Sequence, residues 1–111
     1  DISDGTYLAA ADITVSKDGK KLYASTRGCR DIASFAIAED GHLKLLGHAP
    51  SKGYTRSIHL SEDDAYLIGI GEKLWGMNGM LEVFAIDAQG KAKNQSIDVP
   101  MPGAFNGTVR Y

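Results

Sequence analysis

The sequence predicts an all-β fold: a β-propeller fragment of two four-stranded antiparallel blades plus the first strand of a further blade. Three observations carry this expectation. Ile13-Thr14-Val15-Ser16-Lys17-Asp18-Gly19-Lys20-Lys21-Leu22-Tyr23-Ala24-Ser25 reads as two strands around a tight turn. Ile13 and Val15 alternate with Thr14 and Ser16 at the two-residue period of a strand, and Asp-Gly tolerates the positive φ that a hairpin turn needs. The hairpin then returns as Ile58, Leu60, Ser61, Asp63 and Leu67, an offset of 58 − 13 = 45 residues. Finally, Ser34-Phe35-Ala36-Ile37 returns as Val83-Phe84-Ala85-Ile86 at 84 − 35 = 49, so 49 − 45 = 4 residues are inserted before the third strand of the second unit. Self-similarity near this period, with about four short strands per unit, is the signature of propeller blades.

Taken in order, the chain opens with a loop that ends in Ala9, Ala10 and Ala11. The first blade, residues 9–50, has an inner strand near 11–16 and a second strand near 21–26. The loop Thr26-Arg27-Gly28-Cys29-Arg30-Asp31 leads to a third strand near 32–38, and Asp40-Gly41 turns the chain into an outer strand near 42–47. Pro50-Ser51-Lys52-Gly53-Tyr54 is a link rich in turn residues. The second blade, residues 54–99, repeats the plan with strands near 56–61, 65–70 and 80–87 and a weak outer strand near 92–99. Its loop from Gly71 to Gly79 is the longer one and carries Trp75. Val109-Arg110-Tyr111 stands where Ile13-Thr14-Val15 stood, which makes residues 105–111 the opening strand of another blade. No segment has the period or the caps of a helix.

Propellers usually close with roughly 4–8 blades. Two blades would leave apolar faces and strand edges uncovered. The chain therefore reads as the C-terminal piece of a longer propeller, the alternative being a fragment that closes by self-association. Either way the remaining blades, or further copies of the chain, are its expected partners.

Charge and composition narrow the function. Fourteen acidic residues against twelve Lys and Arg give a net charge of −2, with the cations scattered, so no nucleic-acid footprint is expected. No apolar run is long enough to span a bilayer, and no basic amphipathic helix would lie on one. The single cysteine, Cys29, cannot form an internal disulfide and favours a reducing, cytoplasmic location. His42, His48 and His59 lack metal-ligand spacing, so no metal is expected. Glu62-Asp63-Asp64 sits at a hairpin turn and lacks the alternation of a calcium loop. Gly69-Ile70-Gly71 misses the third glycine of a dinucleotide loop, and no Gly-x-Ser-x-Gly elbow is present. Asn94-Gln95-Ser96 and Asn106-Gly107-Thr108 match the glycosylation acceptor pattern, which arises often by chance.

Ala10-Ala11-Asp12-Ile13, Val15-Ser16-Lys17-Asp18-Gly19, Leu22-Tyr23-Ala24-Ser25-Thr26-Arg27-Gly28, Gly47-His48, Thr55-Arg56 and Gly107-Thr108-Val109-Arg110-Tyr111 together resemble the seven-bladed β-propeller lactonase family, which includes bacterial 6-phosphogluconolactonases and fungal carboxymuconate cyclases. The sequence departs from the family in having Thr26 before Arg27-Gly28, where Asn is common. It also lacks a Pro between Thr55 and Arg56. The resemblance implies a lactone hydrolase of carbohydrate metabolism, of the 6-phosphogluconolactonase type in the pentose phosphate pathway, working on a small-molecule lactone without a cofactor. A lactonising isomerase of the muconate type and a non-catalytic, ligand-binding propeller are the alternatives.

Inner-strand entrances and the loops between second and third strands emerge on one face of a propeller, around its channel. Asp12, Arg27, Arg56 and the Glu72–Asn78 loop are therefore expected to converge there. Lactone hydrolysis needs a base to activate water and donors to steady the developing oxyanion. An anionic sugar also needs a cation with fork geometry. Arg27 and Arg56 are candidates for the anion clamp, or for pairing with neighbouring carboxylates, and Glu72 is a further candidate substrate contact. Asp12 and His59 are the candidate bases: Asp12 could instead orient an arginine, and His59, of a residue type suited to base work, could instead be a packed strand residue.

Overall fold

A computed structural model of the chain describes residues 10–26, 30–74 and 77–101. These form eight strands in two antiparallel sheets of four, with sheet orders β1-β2-β3-β4 and β5-β6-β7-β8. The first sheet comprises β1 (Ala10–Val15), β2 (Lys21–Thr26), β3 (Asp31–Ile37) and β4 (Leu43–Pro50), and the second β5 (Tyr54–Leu60), β6 (Tyr66–Leu74), β7 (Met77–Ile86) and β8 (Ala92–Met101). No helix occurs among the described residues. The expected final strand, 105–111, and the entrance loop before Ala10 lie outside them.

Both inner hairpins close by one chemical device, which explains why Ser and Asp recur. Ser16 Oγ donates to Asp18 Oδ1 at 2.7 Å and accepts from Lys21 N at 3.0 Å. Ser61 Oγ repeats this with Asp63 Oδ1 at 2.7 Å and Tyr66 N at 3.0 Å. The aspartates also accept from Lys20 N and Ala65 N. These side chains supply acceptors that the turn backbone cannot. The third and fourth strands are joined by turns in which Gly41 and Gly90 adopt φ of 91° and 92°, the left-handed conformation of three-residue hairpins.

The sheets pack face to face, inner strand on inner strand and β4 on β8. Tyr23, Ile32 and Ala49 from the first sheet meet Ile58, Leu67, Phe84 and Ala92 from the second in one buried cluster. Polar groups bridge the same seam. Tyr23 Oη donates to Gly90 O at 2.8 Å, and Ser34 Oγ accepts from Ala92 N at 3.0 Å. Burial, followed by the nearby charges of Asp64, Asp87 and Asp18, pushes the Tyr23 hydroxyl up to about 12. The opposite face of the first sheet carries the row Val15, Leu22, Phe35 and Leu45. On it Ile13 and Val15 are 60% and 48% exposed.

Two expectations need correction. The stretch Gly71 to Gly79 is not an open loop: β6 runs on to Leu74 and β7 starts at Met77, with Glu72 paired to Gly79 and Leu74 to Met77. The inserted residues lengthen the hairpin, because continued pairing satisfies backbone groups that a loop would leave open. The outer strand of the second blade is also not weak. β8 runs ten residues and accommodates Pro100, as an edge strand can.

Candidate functional site

The two sheets run in the same sense, so one end of the molecule collects the starts of β1 and β5 and the ends of β2 and β6. Ala10 pairs with Thr26, Thr26 with Asp31 and Asp31 with Pro50. Tyr54 pairs with Glu72 in the second sheet. Of the residues singled out from sequence, Asp12 and Arg56 stand at this end, and Glu72 reaches it as a ladder residue of β6. Arg27 lies outside the described residues. His59 stands further along β5.

Each inner strand opens with an irregularity in register, between Ala10 and Asp12 in β1 and between Thr55 and Ser57 in β5. The bulged positions, Ala11 and Arg56, are 56 − 11 = 45 apart and so occupy the same place in the repeat. A bulge re-aims the side chain it carries, and here the re-aimed residue is an arginine. Arg56 is half-buried.

Asp12 bridges the two inner strands. Its Oδ1 accepts from Ile13 N at 2.9 Å and its Oδ2 from Ile58 N at 2.9 Å, across the seam. His59 is half-buried on the face of β5 turned away from the first blade, and its Nε2 lies 3.4 Å from Ser57 Oγ. The structure thus brings Asp12 and Arg56 to the same entrance and sets His59 on another face.

Several polar residues at this end were not singled out from sequence. Arg30, at φ 53°, places its guanidinium 5.5 Å from the centre of the Tyr54 ring, a cation–π distance. Asp31 accepts from Thr26 Oγ1 at 2.6 Å and pairs with His48 Nδ1 at 2.8 Å. Position in the expected loop was the one sequence signal for Arg30; the partners of Asp31 follow only from strand pairing. Ser25 Oγ is buried with no hydrogen-bond partner among the described residues. Among the described residues no group of three or more His, Cys, Asp or Glu could hold a metal ion, and no helix is long and apolar enough to cross a membrane. Asn94 Nδ2 donates to Pro50 O at 3.0 Å and to Glu82 Oε2 at 2.9 Å, contacts that a glycan on that nitrogen would disrupt.

The family model described as "Lactonase, 7-bladed beta-propeller" matches residues 3–106. A 6-phosphogluconolactonase of Sodalis glossinidius (strain morsitans) is 37% identical over 84 residues, covering 75% of this chain and 24% of that protein. A crystal structure of a protein from Lactobacillus plantarum superimposes with a TM-score of 0.76 at 29% identity, covering 89% of this chain and 28% of the other. The periplasmic gluconolactonase PpgL of Pseudomonas aeruginosa matches with a TM-score of 0.77 at 20% identity, over 91% of this chain and 28% of its own, a likeness of fold. The chain spans about a quarter of the length of the curated relatives it matches.

Proposed function

Because the chain belongs to the seven-bladed β-propeller lactonase family, whose model it matches over residues 3–106, we propose that the full-length protein opens a phosphorylated sugar lactone to its acid. The observation that carries this reading is the 37% identity to a 6-phosphogluconolactonase. Water adds to the lactone carbonyl, the ring C–O bond breaks and the ring oxygen takes up a proton. These steps need a base and a fixed oxyanion partner and draw on no cofactor.

Arg56 and Arg27 hold the substrate's anionic group in this reading. The bulge in β5 at Arg56 supports it; Arg27, which follows Thr26 in the sequence, is assigned with it from the sequence alone. Of the two candidate bases, Asp12 has both oxygens occupied by backbone amides. Asp12 is then the clamp that holds the two blades together, and because His59 lies on a face away from Arg56, the base in this reading comes from another blade of the full-length protein. Glu72 is proposed to border the substrate. The face bearing Ile13, Val15, Leu43 and Leu45 is covered by another blade of the longer protein, and the single cysteine supports a cytoplasmic location.

The test is a lactonase assay on the full-length protein with phosphorylated and unphosphorylated gluconolactone. Arg27→Ala or Arg56→Ala should raise KM for the phosphorylated substrate roughly ten- to a hundred-fold, the worth of one charge-assisted contact. The neutral lactone should respond far less. Equal losses on both substrates with a lower melting temperature would assign the arginines to the scaffold. His59→Asn should keep full turnover; a large loss of kcat in the folded variant would make His59 the base.

A further inference from the structure

Glu82 is a carboxylate that none of these roles uses, and it is completely buried in the seam between the blades. Its neighbours in β7, Met80 and Phe84, face the same seam and are apolar and fully buried, so packing alone would favour a hydrophobe here. Instead, Glu82 Oε1 accepts from Ser51 Oγ at 2.5 Å, and Oε2 accepts from Lys52 N at 2.8 Å and from Asn94 Nδ2 at 2.9 Å. A buried carboxylate persists when its lone pairs are met in this way.

These partners converge on the segment that feeds β5. Ser51 Oγ also contacts Thr55 Oγ1 at 2.8 Å and accepts from Gly53 N at 3.3 Å. Thr55 is itself 1% exposed. On its other side Thr55 packs against Gly69, where an added Cβ would lie 3.1 Å from Thr55 Cγ2. The chain from Ser51 to Thr55 is thus fixed at its hydroxyls and at the Lys52 amide. The next residue is Arg56, in the bulge.

We propose that Glu82 is a positioning residue for the substrate's anionic group: from inside the blade seam it fixes the Ser51–Thr55 entrance of β5 and so sets the approach of Arg56. This rests on the reading above in which Arg56 holds that group. Residues that orient a binding group from behind set its geometry without touching the ligand.

The test uses the full-length protein. Glu82→Leu removes the acceptors at similar volume. It should raise KM for the phosphorylated lactone about tenfold, as loss of outer-sphere support does elsewhere, while kcat and the neutral lactone change less than about twofold. Amide exchange at Lys52 should accelerate. Glu82→Gln should restore near-native values, because its carbonyl can accept from Lys52 N and Asn94 while its amide donates to Ser51. Ser51→Ala, a milder cut in the same network, should give a smaller rise of the same kind and serves as the reading if Glu82→Leu does not fold. In an Arg56→Ala background the Glu82→Leu effect on KM should vanish. A KM rise that is equal for both lactones, a rise that persists without Arg56, or unchanged exchange at Lys52 would each overturn the proposal. If Arg56→Ala alone leaves KM for the phosphorylated lactone unchanged, the assignment of Arg56 as anion holder fails, and the role of Glu82 toward substrate is overturned with it. A tenfold effect of Arg56→Ala beside a silent Glu82→Leu would instead overturn the positioning role alone.

Discussion

Asp12 and Ile58 stand 58 − 12 = 46 residues apart, yet Asp12 Oδ2 accepts the Ile58 amide proton at 2.9 Å. Its other oxygen accepts from Ile13 N, the residue that occupies the same repeat position as Ile58 one blade earlier. One carboxylate therefore ties two equivalent backbone amides and sets the register of neighbouring inner strands. Inner strands present unpaired N–H groups on their channel side, and an acceptor there satisfies what no sheet neighbour can. Asp12→Ala should destabilise the propeller by about 1–3 kcal/mol, the cost of leaving such amides unmet. Asp12→Asn, which keeps one acceptor, should cost about 1 kcal/mol. Denaturant melts measure this. With Asp12 acting as a clamp, as proposed, kcat of the folded variants should stay near native; a large kcat loss at an unchanged melting point would make Asp12 the base.

Asp64 occupies the repeat position of Gly19, 64 − 19 = 45, and adopts φ of 57° where Gly19 adopts 73°. An L-residue in that conformation costs about 1–2 kcal/mol. What Asp64 offers in return is a bridge: its Oδ2 accepts from Lys17 N at 2.9 Å in the neighbouring hairpin, and Lys17 Nζ reaches back to Glu62 O. The two terms are of similar size, with the hydrogen bond contributing about 0.5–1.5 kcal/mol. Asp64→Gly should therefore lie within about 1 kcal/mol of the native protein. Asp64→Ala keeps the strain and loses the bond, and should be the less stable of the two in the same denaturant series.

The hairpin aspartates give the fold an acid limit. The Ser16 hydroxyl, followed by the Lys20 amide, holds the Asp18 carboxyl below its ordinary value of 3.8. The Ser61 hydroxyl, followed by the Ala65 amide, does the same for Asp63. A carboxyl with a depressed folded-state pKa contributes stability that is present above 3.8 and lost as pH falls through its folded value. Unfolding free energy should accordingly decline below about pH 4. Replacing Ser16 and Ser61 with Ala should flatten that decline and lower the plateau above pH 5, where the contribution is fully present, while leaving the plateau without a slope. An unchanged acid slope would mean that these hairpins contribute nothing to it.

How far the sequence could be read depended on whether a contact repeats. Ser16 with Asp18 and Ser61 with Asp63 recur at one offset, and the hairpins they close were legible for that reason. Strand periods and the Asp-Gly turns likewise located β1–β3 and β5 closely, and β6 and β7 up to the inserted residues. The inserted hairpin was not legible, because Glu72-Lys73-Leu74 has no counterpart in the first blade and its pairing with Met77 and Gly79 leaves no periodic trace. Glu82 was hidden for another reason. Position 82 corresponds to Ala33, 82 − 33 = 49, so the repeat gives no hint of a carboxylate there. Its partners at Ser51, Lys52 and Asn94 come from three separate parts of the chain. At the entrance, Arg56 was legible as a residue type; that it sits in a bulge follows only from the register of β5 on β6.

That register depends on Gly71, for a reason of space rather than φ. A Cβ built on Gly71 would stand 2.0 Å from Tyr54 O and 2.8 Å from Tyr54 C, so the start of β5 lies directly against the β6 backbone. Neither atom can swing aside as a side chain could. Gly71→Ala must therefore push the Tyr54–Arg56 entrance away from β6, at a cost of about 1–3 kcal/mol or more for forced backbone movement. Gly47 is the control. The nearest atoms a Cβ there would meet belong to the Lys91 side chain, Cε first at 3.1 Å, and the lysine stem can move. Gly47→Ala should thus change stability by less than about 0.5 kcal/mol, as surface substitutions usually do. Gly71→Ala should lower the melting temperature and, by displacing Arg56, weaken the phosphorylated lactone more than the neutral one. Equal tolerance of the two alanines in thermal melts would show that β5 does not approach β6 so closely at its entrance.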